Sequence, residues 1–250
     1  MKQLELIGLE GIGEIALGDS IGRLIYDACL HQKIELRNDD VLVVAQKIVS
    51  KAEGRIVVLD DIQPSSRAME LAAALDKEPA LVEVILRESR RVVRTGGRAL
   101  IVETHHGFIC ANAGVDQSNV GHRQVTLLPK NPDRSARQIR NAIQQHTGKD
   151  PAVIISDSFG RAWRIGTVDV AIGIAGMKPV KDERGLKDRY GYQLKAAVAA
   201  VADEIAAAAE LVMGKRDGVP VVVVRGYEVD KKEDGSVQEL HRPEAEDLFR

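Results

Sequence analysis

Short runs rich in β-branched and aliphatic residues recur along the whole chain, and what lies between them limits the fold. The runs are Val41–Ala45, Arg55–Leu59, Ala99–Glu103, Gly107–Ala111, Gln124–Leu128, Ala152–Ser156, Val168–Ile174 and Val219–Val224. Each has strand length and composition and is bounded by polar or glycine-bearing residues. Helical spacing is found at Ser20–Gln32, where Ile21, Leu24, Ile25, Ala28 and Cys29 share a face behind Ser20 as cap. Ser66–Leu75, Ala80–Arg91, Ser135–His146 and the alanine-rich Leu194–Met213 read the same way. These helices are too few and too unevenly placed to alternate one-for-one with the strands, which argues against a doubly wound parallel sheet. The expected class is α+β, with mixed or antiparallel sheets and pairs such as 99–104 with 107–112 around a His106-Gly107 turn.

The familiar nucleotide signatures are missing. No GxxxxGK[ST] loop occurs, so no P-loop fold is expected. Gly8, Gly11 and Gly13 fail to complete GxGxxG because Ala16 takes the last glycine position, so no Rossmann fold is expected either. HExxH and CxxC are also absent from the sequence.

Composition narrows the partners. Lys plus Arg total 35 against 37 Asp plus Glu, a net charge of −2, and aromatics are 3% of 250 residues. A near-neutral chain this poor in aromatics lacks the electrostatic footprint and stacking platforms of a nucleic-acid binder. Two cysteines, Cys29 and Cys110, are too few for a disulfide framework. The start, MKQLELIGLEG, has no apolar run of signal length, and Asp203, Glu204 and Glu210 interrupt the most apolar helical stretch. A soluble cytoplasmic protein without membrane contact is expected. Asp230–Gly235 reads as a solvated polar turn.

Four segments carry the chemistry. In NAGVDQSN, Asn112–Asn119, a strand end delivers Asp116 among small polar residues. That arrangement suits a hard cation with oxygen ligands, and equally an Asx-stabilised turn. In ISDSFGRAWR, Ile155–Arg164, a second buried-type strand delivers Asp157 and Ser158. The two aspartates could meet across neighbouring strands and share divalent cations. Arg161 and Arg164 suit an anionic substrate or surface ion pairs, and Trp163 suits either a flat apolar contact or the core. In Val43–Arg55 a strand runs into a loop bearing Lys47, Ser50 and Lys51, lysines placed for phosphates or for solvent. Met213–Gly226 reads as a helix stop at Gly214, a polar turn and a buried strand. Cys110, within FICA, reads as a small buried hydrophobe more than as a nucleophile. His105 and His106 sit at the hairpin turn.

Taken in order, QKIVSKAEGR, HGFICANAGVDQSN, ISDSFGRAWRIGTVDVAIG, ADEIAAAAELVMG and RPEAEDLFR resemble the coenzyme F420-0:L-glutamate ligase family. The resemblance spans Leu4 to Arg250 and points to the stand-alone form, one ligase module without a fused flavin domain. It implies a GTP-dependent ligase that adds L-glutamate to coenzyme F420-0, or to an existing γ-glutamyl tail, through an acyl phosphate, releasing GDP and phosphate. It further implies Mg2+ or Mn2+, two ions per site, with K+ as a helper, and a two-domain α+β fold in an intertwined homodimer. By position, the GTP contacts fall on Ile12, Gly13, Glu14, Ile15, Gln46, Lys47, Lys51 and Asn119, with Met213, Gly214 and Lys215 from the later segment. The metal ligands fall on Asp116, Asp157 and Ser158. Arg161 and Arg164 are the expected contacts for the cofactor tail or glutamate, and His105 or His106 a candidate general base.

Two positions depart from the family pattern. Lys215 stands where many members carry an acidic or amide residue that helps hold the second metal. Either Asp217 substitutes, or phosphate holds that ion. Ala197 stands where threonine is expected. Two other readings fit the residues: a metal-dependent phosphohydrolase, and a non-catalytic nucleotide-binding regulator.

Overall fold

The computed structural model describes residues 3–231 and 234–248. The elements run β1 (Glu5–Leu9), α1 (Ile21–Gln32), β2 (Val41–Ala45), α2 (Gln46–Ala52), β3 (Ile56–Val58), α3 (Ser66–Leu75), α4 (Pro79–Arg87), β4 (Ser89–Gly96), β5 (Ala99–Thr104) and β6 (Ile109–Ala111). They continue with β7 (Gln124–Thr126), α5 (Pro132–Thr147), β8 (Ala152–Gly160), β9 (Thr167–Ala175), β10 (Lys181–Asp182), β11 (Val198–Ala199), α6 (Val201–Met213) and β12 (Val221–Arg225). This is an α+β arrangement with mixed and antiparallel sheets.

The main sheet has the order β1-β12-β2-β8-β9. Only β2 and β8 run parallel, in a register that ends with Ala45 beside Ser156. The middle strands are continuous aliphatic runs because both their faces are covered: Val41–Val44 and Val221–Val223 are fully buried. Helices α5 and α6 pack on β9, and α1 packs on α5. The helices start where local chemistry allows. Ser20 accepts from the Arg23 N–H to cap α1, and Asn131 accepts from Arg134 ahead of Pro132 in α5.

The buried apolar side chains fall into two clusters. One surrounds the main sheet. The other lies between α3, α4 and the strands β5 and β7, with Leu59, Ile85, Leu100 and Val125 at its centre. Its strands form a three-stranded antiparallel sheet, β4-β5-β6, and a separate pair, β3-β7. The expected hairpin of 99–104 with 107–112 is present as β5 and β6.

Several expectations need correction. The segment after β2 is not a loop: Gln46–Ala52 is the two-turn helix α2. It lacks a capping side chain and is buried along most of its length, so neither a cap nor an amphipathic period marks it in the sequence. The helix expected over Leu194–Met213 begins only at Val201. Residues 194–199 instead pair back on 181–186, with Gly185 N–H donating to the Leu194 carbonyl and Leu194 N–H to the Leu186 carbonyl, each at 2.8 Å. Long-range pairing overrides alanine's helix propensity there. The helix expected over Ala80–Arg91 stops at Arg87, and Ser89–Gly96 forms β4, held to β5 by Arg91 on Glu103 at 2.8 Å. Trp163 is not core: it is 81% exposed on the loop after β8. The polar turn expected over Asp230–Gly235 includes 232 and 233, which lie outside the described residues, as do 249 and 250 of the closing block.

Candidate active site

The parallel pair fixes where a site can form. In open sheets, ligands collect beyond the carboxyl ends of parallel strands, where the chain leaves in different directions. Here β2 feeds directly into α2, and β8 runs on past the register into Asp157 and Ser158. Alternation along β8 puts Ser156 and Ser158 on one face and Asp157 on the other.

Asp169 of β9 lies opposite Ser158 in the antiparallel register. Its carboxylate accepts from Ser156 Oγ at 2.9 Å and from Ser158 Oγ at 2.5 Å. It is buried, with 5% of its surface exposed. The sequence reading missed Asp169. The period-two spacing of two serines on one strand was the available signal, but it needed the β8–β9 register to bring an acid to them.

Asp157 has the most perturbed carboxyl of the site. Burial pushes it up to about 7, and the carboxylates of Asp169 and Asp116 add to the rise, against help from the Ser158 N–H and Lys215. Asp116 lies on the loop after β6, tied by a backbone bridge to Thr126, not on a strand adjacent to β8. The two aspartates are therefore not on neighbouring strands as expected, although the charge of Asp116 acts on Asp157. Asn112, Ala113 and Gly114, which lead into this loop, all have positive φ, at 54°, 56° and 70°. A side chain at Gly114 would run into Leu128, so glycine is required there.

Lys47, in the first turn of α2, donates to Asp116 Oδ2 at 2.7 Å and to the Ser118 carbonyl and hydroxyl at 2.8 and 2.6 Å. Burial pulls the Asp116 carboxyl up, but Lys47 and the N–H and hydroxyl of Ser118 outweigh it and hold the group below the usual carboxylate range. The Asx-type turn and the acidic site are thus the same structure: Ser118 N–H donates to Asp116 Oδ1 at 2.8 Å. Gln46 is buried and accepts from Ser50 Oγ. Lys51 reaches Glu14 and so pins the Ile12–Ile15 loop against α2. Asn119 is exposed in the Asp116 loop with φ 55°.

Lys215 donates to Ser158 Oγ and lies 3.9 Å from Asp169 and 3.7 Å from Glu210. Met213 closes α6 and Gly214 follows as its cap. Arg161 and Arg164 stand exposed on the loop after β8, outside the Asp116–Asp157 cluster's described ion pairs. His106 bonds the Pro129 carbonyl through Nε2 at 2.9 Å and stacks on Phe108. Burial pushes its imidazole down, and no described hydrogen bond ties it to the aspartates. Cys110 is buried, its thiol pushed up to about 12 by burial with Asp157 adding, which suits packing and not attack. Ala197 lies on the 181–199 hairpin, its carbonyl accepting from Glu183.

The donor set suits a hard divalent cation. Asp157 feels two other carboxylates against one backbone N–H and the charge of Lys215, a balance that favours its neutral form and that an added cation would reverse. Among the described residues no three acid, histidine or cysteine side chains form a metal cage by themselves. The Ser158 hydroxyl already donates to Asp169 and accepts from Lys215, so an ion here would complete its shell with substrate oxygens, the pattern in which Mg2+ is usually held.

Fold and site together define an α+β protein with Lys47 and the acids Asp116, Asp157 and Asp169 gathered beyond the carboxyl ends of its parallel strands. The chain belongs to the F420-0:Gamma-glutamyl ligase family, whose profile matches residues 11–226. It is 47% identical over 249 residues to the coenzyme F420:L-glutamate ligase of Methanothermobacter thermautotrophicus, covering 99% of both chains. Proteins of the same name from Methanococcus maripaludis strain C6 and Archaeoglobus fulgidus are 44% and 43% identical, with 99% of this chain covered in each case and 98% and 97% of theirs. Among the described residues no helix is long and apolar enough to cross a membrane.

Proposed function

We propose that this protein is a coenzyme F420:L-glutamate ligase, joining L-glutamate to coenzyme F420-0, and to existing γ-glutamyl tails, at the expense of GTP. The observation that carries the reading is end-to-end similarity, at 47% identity, to a protein of that name. The geometry supplies the chemistry. A carboxylate is a poor electrophile, so amide formation needs activation. Transfer of the γ-phosphoryl group of GTP to the acceptor carboxylate gives an acyl phosphate and GDP. Attack by the α-amine of glutamate then forms the amide and expels phosphate.

Each residue has a part in this scheme. Lys47, now on Asp116, and Lys51, now on Glu14, exchange these carboxylates for the nucleotide phosphates. The Ile12–Ile15 loop, Gln46 and Asn119 border the nucleotide, and Met213-Gly214 closes its far side. Asp116 and Asp157 would hold Mg2+ or Mn2+, with K+ assisting, while the Ser158 hydroxyl, which donates to Asp169 and accepts from Lys215, stays outside that shell. Held there, such an ion would supply neutralisation of phosphate charge during phosphoryl transfer. Asp169 fixes the Ser158 hydroxyl. Arg161 and Arg164 meet the anionic tail or the incoming glutamate. His106, two rings away from Ser158 through Phe108 and Phe159, shapes the apolar wall and is not the group we assign as base.

The working unit in this reading is a homodimer. The 181–199 hairpin and the loop after β8 expose Leu186, Tyr190, Tyr192, Val198, Trp163 and Ile165, a set of apolar side chains that suits burial against a second copy.

The test is substitution at the two aspartates. D116N and D157N are expected to remain folded and to lose GTP turnover in the presence of F420-0, glutamate and Mn2+ by a factor of about a thousand or more. Near-native turnover by either variant removes the site assignment. Phosphate release from GTP without F420-0 and glutamate would favour a phosphohydrolase instead.

A further inference from the structure

Lys215 reaches the site by a turn that only glycine adopts readily. Gly214 has φ 56° and ψ −171°, and the Asp217 carboxylate lies over its bare Cα. That placement leaves Asp217 packed on the turn. Lys215 is sent the other way, into the acids. Its ammonium donates to the Ser158 hydroxyl and pairs with Asp169 at 3.9 Å and Glu210 at 3.7 Å.

We propose that the Lys215 ammonium is a tethered cation occupying the position between Ser158, Asp169 and Glu210, so that the site takes one divalent ion and not two. The inference rests on the cation site proposed at Asp116 and Asp157. An ammonium has three donors and no lone pair, so it cannot ligate a metal. Within hydrogen-bond reach of Ser158 Oγ, it also repels a second ion that would use the same oxygen. Asp169 is in turn a poor ligand, because its two oxygens already accept from the Ser156 and Ser158 hydroxyls. Its charge neutralises the lysine. In the resting site the carboxylates of Asp116, Asp157, Asp169 and Glu210 are then matched by Lys47, Lys215 and a single divalent ion.

Mn2+ added alone to the full chain, with bound ion counted per protomer by electron paramagnetic resonance, tests this without any turnover. Lys215 is 59% exposed, so its substitution does not disturb the core, and circular dichroism checks the fold. The wild type is expected to saturate at one ion. K215Q, which replaces the ammonium with an amide oxygen, is expected to bind two, and K215R to stay at one. Two ions on the wild type, or one on both the wild type and K215Q, overturns the proposal. No ion on the wild type and one on K215Q refutes the Asp116–Asp157 site while upholding exclusion by the lysine. None on either refutes both.

Discussion

Replacing Asp157 with asparagine should stabilise the metal-free protein at pH 8. The carboxyl is raised from 3.8 to about 7 in the fold, first by burial and then by Asp169 and Asp116. At about 1.4 kcal/mol per pH unit, that interval is a penalty of about 4 kcal/mol on the ionised form. The amide must still find partners for its own polar atoms, which offsets about 1 kcal/mol, leaving a net gain of about 3 kcal/mol. The folded-state value lies above the unfolded one, so between the two the folded chain holds a proton that the unfolded chain has lost. The group's contribution to stability is therefore fully present below the unfolded value of 3.8, is lost as pH rises from there through about 7, and is flat beyond. Urea unfolding of both proteins at pH 8 and pH 4, without metal, measures it. D157N is expected to be about 3 kcal/mol more stable at pH 8 and up to about 1 kcal/mol less stable at pH 4, where only the amide's cost is left. Adding Mn2+ at a hundred times its dissociation constant should return about 2.7 kcal/mol to the wild type alone. No gain at pH 8, or the same gain at pH 4, would refute the reasoning that Asp157 is a carboxylate held ready for a cation.

Two other substitutions separate the parts of the site. K47M removes the charged donor on Asp116 and is expected to weaken GTP binding about 10- to 100-fold, the worth of one charge-assisted hydrogen bond, as read by calorimetric titration. Unchanged GTP affinity would assign Lys47 to the acidic loop alone. D169A leaves the Ser156 and Ser158 hydroxyls without their acceptor and is expected to cost about 2–3 kcal/mol in urea unfolding. A loss below about 0.5 kcal/mol would mean that the hydroxyls find other partners.

Much of this was legible in the residues, for identifiable reasons. β2, β8 and β12 are aliphatic on both faces, and such runs announce themselves without any knowledge of their neighbours. Asp116 and Asp157 could be picked out because each follows such a run. What escaped was whatever depends on pairing between distant segments. Asp169 becomes part of the site only through the β8–β9 register, and residues 194–199 leave the helix only because 181–186 offers a partner strand. α2 escaped for the opposite reason. It is short and buried, and with Ala45 as its cap residue it shows no start signal. The exposure of Trp163 was also out of reach, since a lone aromatic in a polar loop reads the same whether its face is covered by the core or by another molecule.

In the proposed reaction, glutamate joins a carboxylate that GTP has activated by phosphoryl transfer. The most direct measurement incubates the purified protein with F420-0, GTP, L-glutamate and Mn2+ and reads the mass of the cofactor and the fate of the nucleotide. The account predicts a cofactor heavier by one or more glutamyl residues, with one GDP and one phosphate released per residue added. An unchanged cofactor mass, with or without GTP hydrolysis, would contradict it.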